Sequence, residues 1–269
     1  MPIWTLFGLG AGRATTRWPE TGDDGQTGVE GMPTLRSEQC EAGCRECVDV
    51  CVTNAIIPAD GEGGVNVTVD YGRCIACQLC VEACPTGAMK SSSNWAFGVR
   101  HRDDLVTGES SSAPAQEEPE RLRASIRRAF GRSLHIRHVD AGSCNGCESE
   151  LQALNNPFYN LHRLGIFFTA SPRHADVLLV TGTVTYAMRD ALLATYEAMP
   201  DPRWVLASGT CAVSGGATGG TYASGVGVAD SLPVDVYLPG CPANPAALIH
   251  ALLLLTERAE QRVRGGRFR

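Results

Sequence analysis

Long apolar runs are missing from this 269-residue chain. The longest, Ala246 to Leu255, is broken by His250 and falls far short of the roughly 20 residues a helical span needs, so the chain is not expected to cross a membrane itself. Basic excess is missing too. Net charge is −6 and charged residues are 19%, which leaves no electrostatic footprint for nucleic acid. No basic region precedes the apolar residues 3–9 and no clear cleavage site follows them, so no secretory leader is expected. Nor is any cysteine left over: all 12 fall into three groups of four. Cys40, Cys44, Cys47 and Cys51 form the first group, and Cys74, Cys77, Cys80 and Cys84 the second. The third is Cys144, Cys147, Cys211 and Cys241.

The second group reads C-x2-C-x2-C-x3-C with Pro85 after it, the spacing by which bacterial-type ferredoxins hold 4Fe–4S clusters. A disulfide framework is the competing account of an even count. It fits poorly, because three cysteines inside a seven-residue tract cannot all reach distant partners comfortably. A reducing cytoplasmic compartment, where thiolates persist as metal ligands, is expected instead. The first group repeats the second: a Cys-x2-Cys-x3-Cys core recurs ahead of Ala55-Ile56 and ahead of Ala88-Met89. In two-cluster ferredoxins the fourth cysteine of each motif ligates the other motif's cluster. Applied here, Cys74, Cys77, Cys80 and Cys51 hold one cluster, and Cys40, Cys44, Cys47 and Cys84 the other. The first motif departs from the pattern in two places, with three residues between Cys40 and Cys44 and Val52 where proline is usual.

Composition divides the chain into four. Residues 1–38 form an N-terminal lead with no sustained period, in which Thr15 to Pro19 is expected to be exposed or held by a partner. Residues 39–100 form a two-cluster ferredoxin-like α+β domain. Residues 101–133 join a Ser/Pro/Glu linker, around Ser110 to Pro119, to a basic amphipathic helix over Arg121–Arg132. Residues 134–260 alternate strand and helix. Strands are expected at Leu134–Val139, Asp176–Thr181, Trp204–Ala207 and Val234–Leu238. Helices are expected at Glu148–Leu154, Ala187–Ala198 and Ala243–Arg258. Such alternation argues for an open, parallel, flavodoxin-like α/β sheet.

All four cysteines of the third group lie just beyond strands, where an open α/β sheet forms its ligand crevice. Glycines around them permit close approach to a bulky cluster and free N–H groups to bond its sulfurs. Zinc also accepts four thiolates, usually as two C-x2-C pairs, but the interleaved triplets of the first two groups do not divide that way. A thioredoxin-like role for Cys144 and Cys147 would leave Cys211 and Cys241 unexplained. The reading is three 4Fe–4S clusters and electron transfer.

Four stretches of the C-terminal half, Ser143-Cys144-Asn145-Gly146-Cys147-Glu148-Ser149-Glu150, Ser171-Pro172-Arg173-His174-Ala175-Asp176, Gly209-Thr210-Cys211-Ala212 and Pro239-Gly240-Cys241-Pro242, resemble the small subunit of energy-converting nickel–iron hydrogenases of the formate hydrogenlyase type. The homologous respiratory complex I subunit is similar but carries adjacent cysteines where this chain has Cys144-Asn145-Gly146-Cys147. The N-terminal half resembles the two-cluster ferredoxin subunit of the same complexes, so the chain reads as a fusion of two neighbouring subunits. The resemblance implies an oxidoreductase subunit, peripheral on the inner face of the cell membrane. Its implied partners are a nickel–iron hydrogenase large subunit, membrane-arm subunits and an external electron donor or acceptor. The alternative it implies is an electron carrier to quinone of complex I type.

Three further residues carry expectations. In the family a glutamate at the position of Glu150 lies near the cluster, and a role in proton movement competes with a surface or capping role. Arg173 and His174 would lie in the surroundings of the cluster, where a positive charge raises its potential, or would serve only a strand-entry turn. The glycine-rich stretch 214–220 lacks the Gly-Lys-Ser/Thr of a phosphate loop and is expected to pack against a partner.

Overall fold

The computed structural model describes residues 3–12, 14–41, 43–58, 67–107 and 133–268. Most of the expected linker and the basic helix Arg121–Arg132 lie outside them. The C-terminal half is built on five parallel strands in the spatial order β6-β5-β7-β8-β9. They are β5 (Leu134–Asp140), β6 (Ile166–Phe168), β7 (Val177–Thr181), β8 (Trp204–Ser208) and β9 (Val236–Leu238). In chain order this is 2-1-3-4-5, the flavodoxin-like winding, whose ligand crevice opens beside the first strand. Every residue of β7 and β8 is buried, as expected of central parallel strands covered on both faces. The helices are α4 (Gly146–Ala153), α5 (Tyr186–Glu197), α6 (Thr210–Ser214) and α7 (Pro245–Leu255). Asn244 caps α7 by accepting from Ala247 N at 2.8 Å, with Pro245 in the first turn where a missing N–H is harmless. All of α7 is buried, and each of its leucines removed from water stabilises the fold by about 2 kcal/mol.

The strand β6 was not expected from the sequence. It has three residues at the sheet edge, too few to show a period. The five-residue helix α6 also escaped expectation, hidden behind Gly209.

The N-terminal half folds as two short antiparallel pairs, β1 (Thr34–Leu35) with β4 (Met89–Lys90) and β2 (Ile56–Pro58) with β3 (Val67–Val69). One-turn helices α2 (Glu46–Asp49) and α3 (Leu79–Glu82) follow matching cysteines in the two repeats. Structure continues past residue 100: Leu105 is fully buried, its carbonyl accepts from Tyr71 N at 2.9 Å, and Thr107 N donates to Val69 O at 2.9 Å.

The two halves pack together, both contributing to each of two hydrophobic clusters. Val99 bridges antiparallel to Tyr237 of β9, and Phe97 packs 5.6 Å from Phe268 in the terminal hairpin β10 (Val263–Arg264) and β11 (Arg267–Phe268). Trp18 corrects an expectation. It is buried, set edge-on to Trp95 at 5.8 Å, with its carbonyl bonded by Arg163. The face that buries it comes from residues far away in sequence. Thr16 N to Phe158 O, at 3.0 Å, continues the same strap. Ahead of the strap, helix α1 (Ile3–Ala11) exposes Ile3, Leu6, Phe7 and Leu9. Among the described residues no helix is long and apolar enough to cross a membrane.

Candidate metal centres

All twelve cysteines are free thiols, and the fold gathers them in three sets. In the first set the Cys47 thiol is pushed up to about 11, chiefly by burial and then by its neighbours Cys40, Cys84 and Cys44. Cys40, Cys44, Cys47 and Cys84 line one cleft, together with Leu35, Val67 and Met89. The extra residue between Cys40 and Cys44 therefore does not keep Cys40 away. In the second set Cys74 is raised to about 11 and Cys80 to about 12, both mainly by burial, with Cys51 and Cys77 adding to each. The last cysteine of each repeat thus stands with the first three of the other. Cys47 also acts on Cys80, so the two sets adjoin.

Each repeat aims a backbone N–H and a threonine hydroxyl at its last sulfur, the threonines at matching positions and the N–H donors one residue apart in register. Ala55 N donates to Cys51 Sγ at 3.2 Å and Met89 N to Cys84 Sγ at 3.4 Å. Thr53 and Thr86 hydroxyls lie 3.8 Å from the same two sulfurs. At Cys84 burial raises the thiol, but the bonds from Met89 and Thr86 outweigh it and the net shift is downward. Ala76 and Gln78 hold the loop Cys74–Cys80 at positive φ, as Asn145 does between Cys144 and Cys147. These strained residues turn the backbone around the sulfurs, and Ala76 N reaches Cys74 Sγ at 3.4 Å.

The third set sits at the carboxyl edge of the sheet. Cys144 and Cys147 follow β5, Cys211 is the second residue of α6 after β8, and Cys241 follows β9. Cys147 is pushed up to about 12, first by burial, then by Glu148, Cys211, Cys241 and Cys144. Cys144 and Cys241 are exposed, so this set opens to the surface. Backbone presses on it from two glycines. A Cβ on Gly209 would lie 2.6 Å from Cys147 Sγ, and one on Gly216 would lie 3.0 Å from Cys211 Sγ. The glycine-rich stretch thus winds tightly beside Cys211, with Gly215 N donating to Cys211 O at 2.8 Å. Around it Tyr186, Tyr222 and Val226 are exposed.

Glu148, not singled out from the sequence, holds a part-buried network beside Cys147. Its carboxylate accepts from Ser143 Oγ at 2.7 Å and from Thr181 Oγ1, and His138 Nε2 is 3.5 Å away. Burial lowers the His138 pKa, partly opposed by Glu148 and Asp140, which favours the neutral ring. Its place directly after Cys147, in the first turn of α4, was a readable signal. The partners from β5 and β7 were not. Glu150 is half-buried, and burial raises its carboxyl. Arg173 and His174 are exposed on a 3₁₀ turn before β7. That turn is at the amino edge of the sheet, the length of β7 from the cysteine loops, and the structure does not bring them to the thiols.

Four free thiols per set, N–H groups aimed at sulfur and backbone pressed close at glycine fit an inorganic iron–sulfur cluster. Among the described residues no three His, Cys, Asp or Glu side chains converge as the ligands of a single ion would.

Comparison with known proteins agrees with this chemistry. The family model described as the NADH ubiquinone oxidoreductase 20 Kd subunit matches residues 144–255, and a 4Fe-4S binding domain matches residues 67–90. Formate hydrogenlyase subunit 7 of Escherichia coli is 41% identical over 142 residues, 53% of this chain and 56% of that protein. The probable membrane-bound hydrogenase subunit mbhJ of Pyrococcus furiosus is 38% identical over 146 residues, 54% of this chain and 87% of that protein. The chain therefore spans little more than half the length of the first of these relatives. Among solved structures, the membrane-bound sulfane sulfur reductase of an archaeal respiratory complex includes a chain 36% identical. That match covers 49% of this chain and 73% of the other, with a TM-score of 0.44. The NAD+-reducing [NiFe]-hydrogenase gives 20% identity, coverage of 51% and 99%, and a TM-score of 0.41.

Proposed function

Because this chain belongs to the family of the NADH ubiquinone oxidoreductase 20 Kd subunit, as a hydrogenase-type oxidoreductase subunit, we propose that it relays electrons for a nickel–iron hydrogenase large subunit through three 4Fe–4S clusters of its own. The observation that carries this reading is the exchange of Cys51 and Cys84 between the two repeats, which completes two sets of four thiols beside a third. The chain is on this reading a fusion of a two-cluster ferredoxin with the 20 Kd-type subunit. Cys40, Cys44, Cys47 and Cys84 would hold the outermost cluster. Cys51, Cys74, Cys77 and Cys80 would hold the middle one, and Cys144, Cys147, Cys211 and Cys241 the one at the open sheet edge.

Each cluster, when bound, takes up and returns one electron. The chain's own part is to set where and how easily that happens. Burial of Cys47, Cys74 and Cys80 excludes water, and the N–H groups of Ala55, Ala76 and Met89 hold charge on sulfur. The exposed rim of Cys144 and Cys241, with apolar Tyr186, Tyr222 and Val226, suits docking of the large subunit. The exposed apolar face of α1 suits membrane-arm subunits, which supports a peripheral place at the inner face of the cell membrane. Glu150, half-buried near Tyr159, is proposed to assist proton movement at the large-subunit interface. Arg173 and His174, at the far edge, support only their local turn.

Anaerobic purification with iron, sulfide and zinc quantitation tests the reading, together with low-temperature spin resonance of the reduced chain. About twelve irons per chain are expected. Stoichiometric zinc, or eight irons, would overturn it. The family's name favours a second reading, an electron carrier to quinone. Nickel-ligating cysteine pairs in the co-purifying large subunit decide for hydrogenase, and their absence for quinone.

A further inference from the structure

We infer that Thr210 is the positioning residue that holds the third thiol set in fixed register with the second. The inference rests on the three-cluster reading. Thr210 is 1% exposed and lies one residue before Cys211. Its hydroxyl donates to the Cys74 carbonyl at 2.9 Å and accepts from Gly240 N at 3.0 Å. Its own N–H donates to the Gly240 carbonyl at 2.8 Å. One buried side chain therefore ties together the loops of Cys74, Cys211 and Cys241, which belong to two different sets. One helical turn on, Ser214 Oγ donates to Gly72 O at 2.8 Å, so α6 grips the Cys74 loop at two points.

The donor is the part that matters. A hydroxyl can bond both a carbonyl and an N–H at once, whereas a methyl of the same shape can bond neither. Valine at this position would leave the Cys74 carbonyl and the Gly240 N–H unpaired in the interior, which drives the loops apart to find new partners. The separation and orientation of two clusters fix their magnetic interaction. A threonine that merely filled space would leave that interaction unchanged.

The test compares the full-length holoprotein with Thr210→Val and Thr210→Ser, prepared anaerobically. The readouts are iron per chain and the spin–spin splitting between the second and third clusters in the fully reduced state. Thr210→Val is expected to keep its iron while the splitting narrows or disappears, and Thr210→Ser to restore it. A Thr210→Val spectrum superimposable on the parent, at equal iron, overturns the inference. Should Thr210→Val not accumulate as folded protein, Ser214→Ala is read the same way: an altered splitting supports the grip and an unaltered one overturns it. A parent protein with fewer than about twelve irons would instead sink the three-cluster reading, whatever the variants do.

Discussion

Val99 and Tyr237 exchange both of their backbone bonds, Val99 N to Tyr237 O at 2.9 Å and Tyr237 N to Val99 O at 2.8 Å. The cysteine-rich half thereby extends the parallel sheet at its β9 edge and covers an edge that would otherwise be open. Val99→Pro removes one of these donors and leaves the Tyr237 carbonyl without its partner. It is expected to cost about 1–3 kcal/mol and to speed protease cleavage between the halves. Val99→Ala, which keeps the N–H, is the control. Equal cleavage rates in the two variants would remove the role assigned to this pair.

The crossing of Cys51 and Cys84 predicts an inverted pattern of loss. Cys84→Ser is expected to abolish the spin-resonance signal of the cluster on Cys40, Cys44 and Cys47, and to spare that on Cys74, Cys77 and Cys80. Cys51→Ser is expected to do the reverse. Loss confined to the variant's own repeat would refute the crossing.

Gly209 and Gly43 both hold positive φ, at +91° and +79°, yet only Gly209 has a neighbour where a Cβ would go. Gly43→Ala is expected to cost about 1 kcal/mol from backbone strain, with iron content unchanged. Gly209→Ala adds the collision with Cys147 Sγ and is expected to lose about four irons per chain, read by colorimetric quantitation.

His250 gives the fold a dependence on acidity. Burial, with the Arg262 charge adding, lowers its pKa from 6.5 to about 4. In the unfolded chain the ring takes a proton below about 6.5, while in the folded chain it stays neutral until about 4. Its contribution is therefore complete above pH 6.5 and is lost as pH falls toward 4, by roughly 3 kcal/mol in all. Denaturant titrations across this window should fall more steeply for the parent than for His250→Gln, and parallel slopes would contradict the assignment.

Much of this architecture could be read in the sequence because thiolate ligands impose spacing. Cys74 to Cys84 announced a cluster motif, and the apolar run before Gly182 announced β7. What could not be read was whatever depends on residues meeting across distance. Trp18 looked stranded because Trp95 and Arg163 lie far along the chain. Thr210 looked like any residue between a glycine and a cysteine, since its value comes from the Cys74 carbonyl. The positions of Arg173 and His174 follow from strand direction: being next to β7 in sequence puts them at its beginning, not at the end where Cys144 and Cys211 gather.

The traded thiols have a consequence for how the N-terminal half can be divided. Cut between Pro58 and Val67, it would yield two fragments, and each would keep three sulfurs of one cage and a single sulfur of the other. On the two-cluster reading proposed above, neither piece would be self-sufficient: the duplicated unit would be an obligate pair, and any circular rearrangement or trimming of it would have to carry both copies or forfeit both cages together.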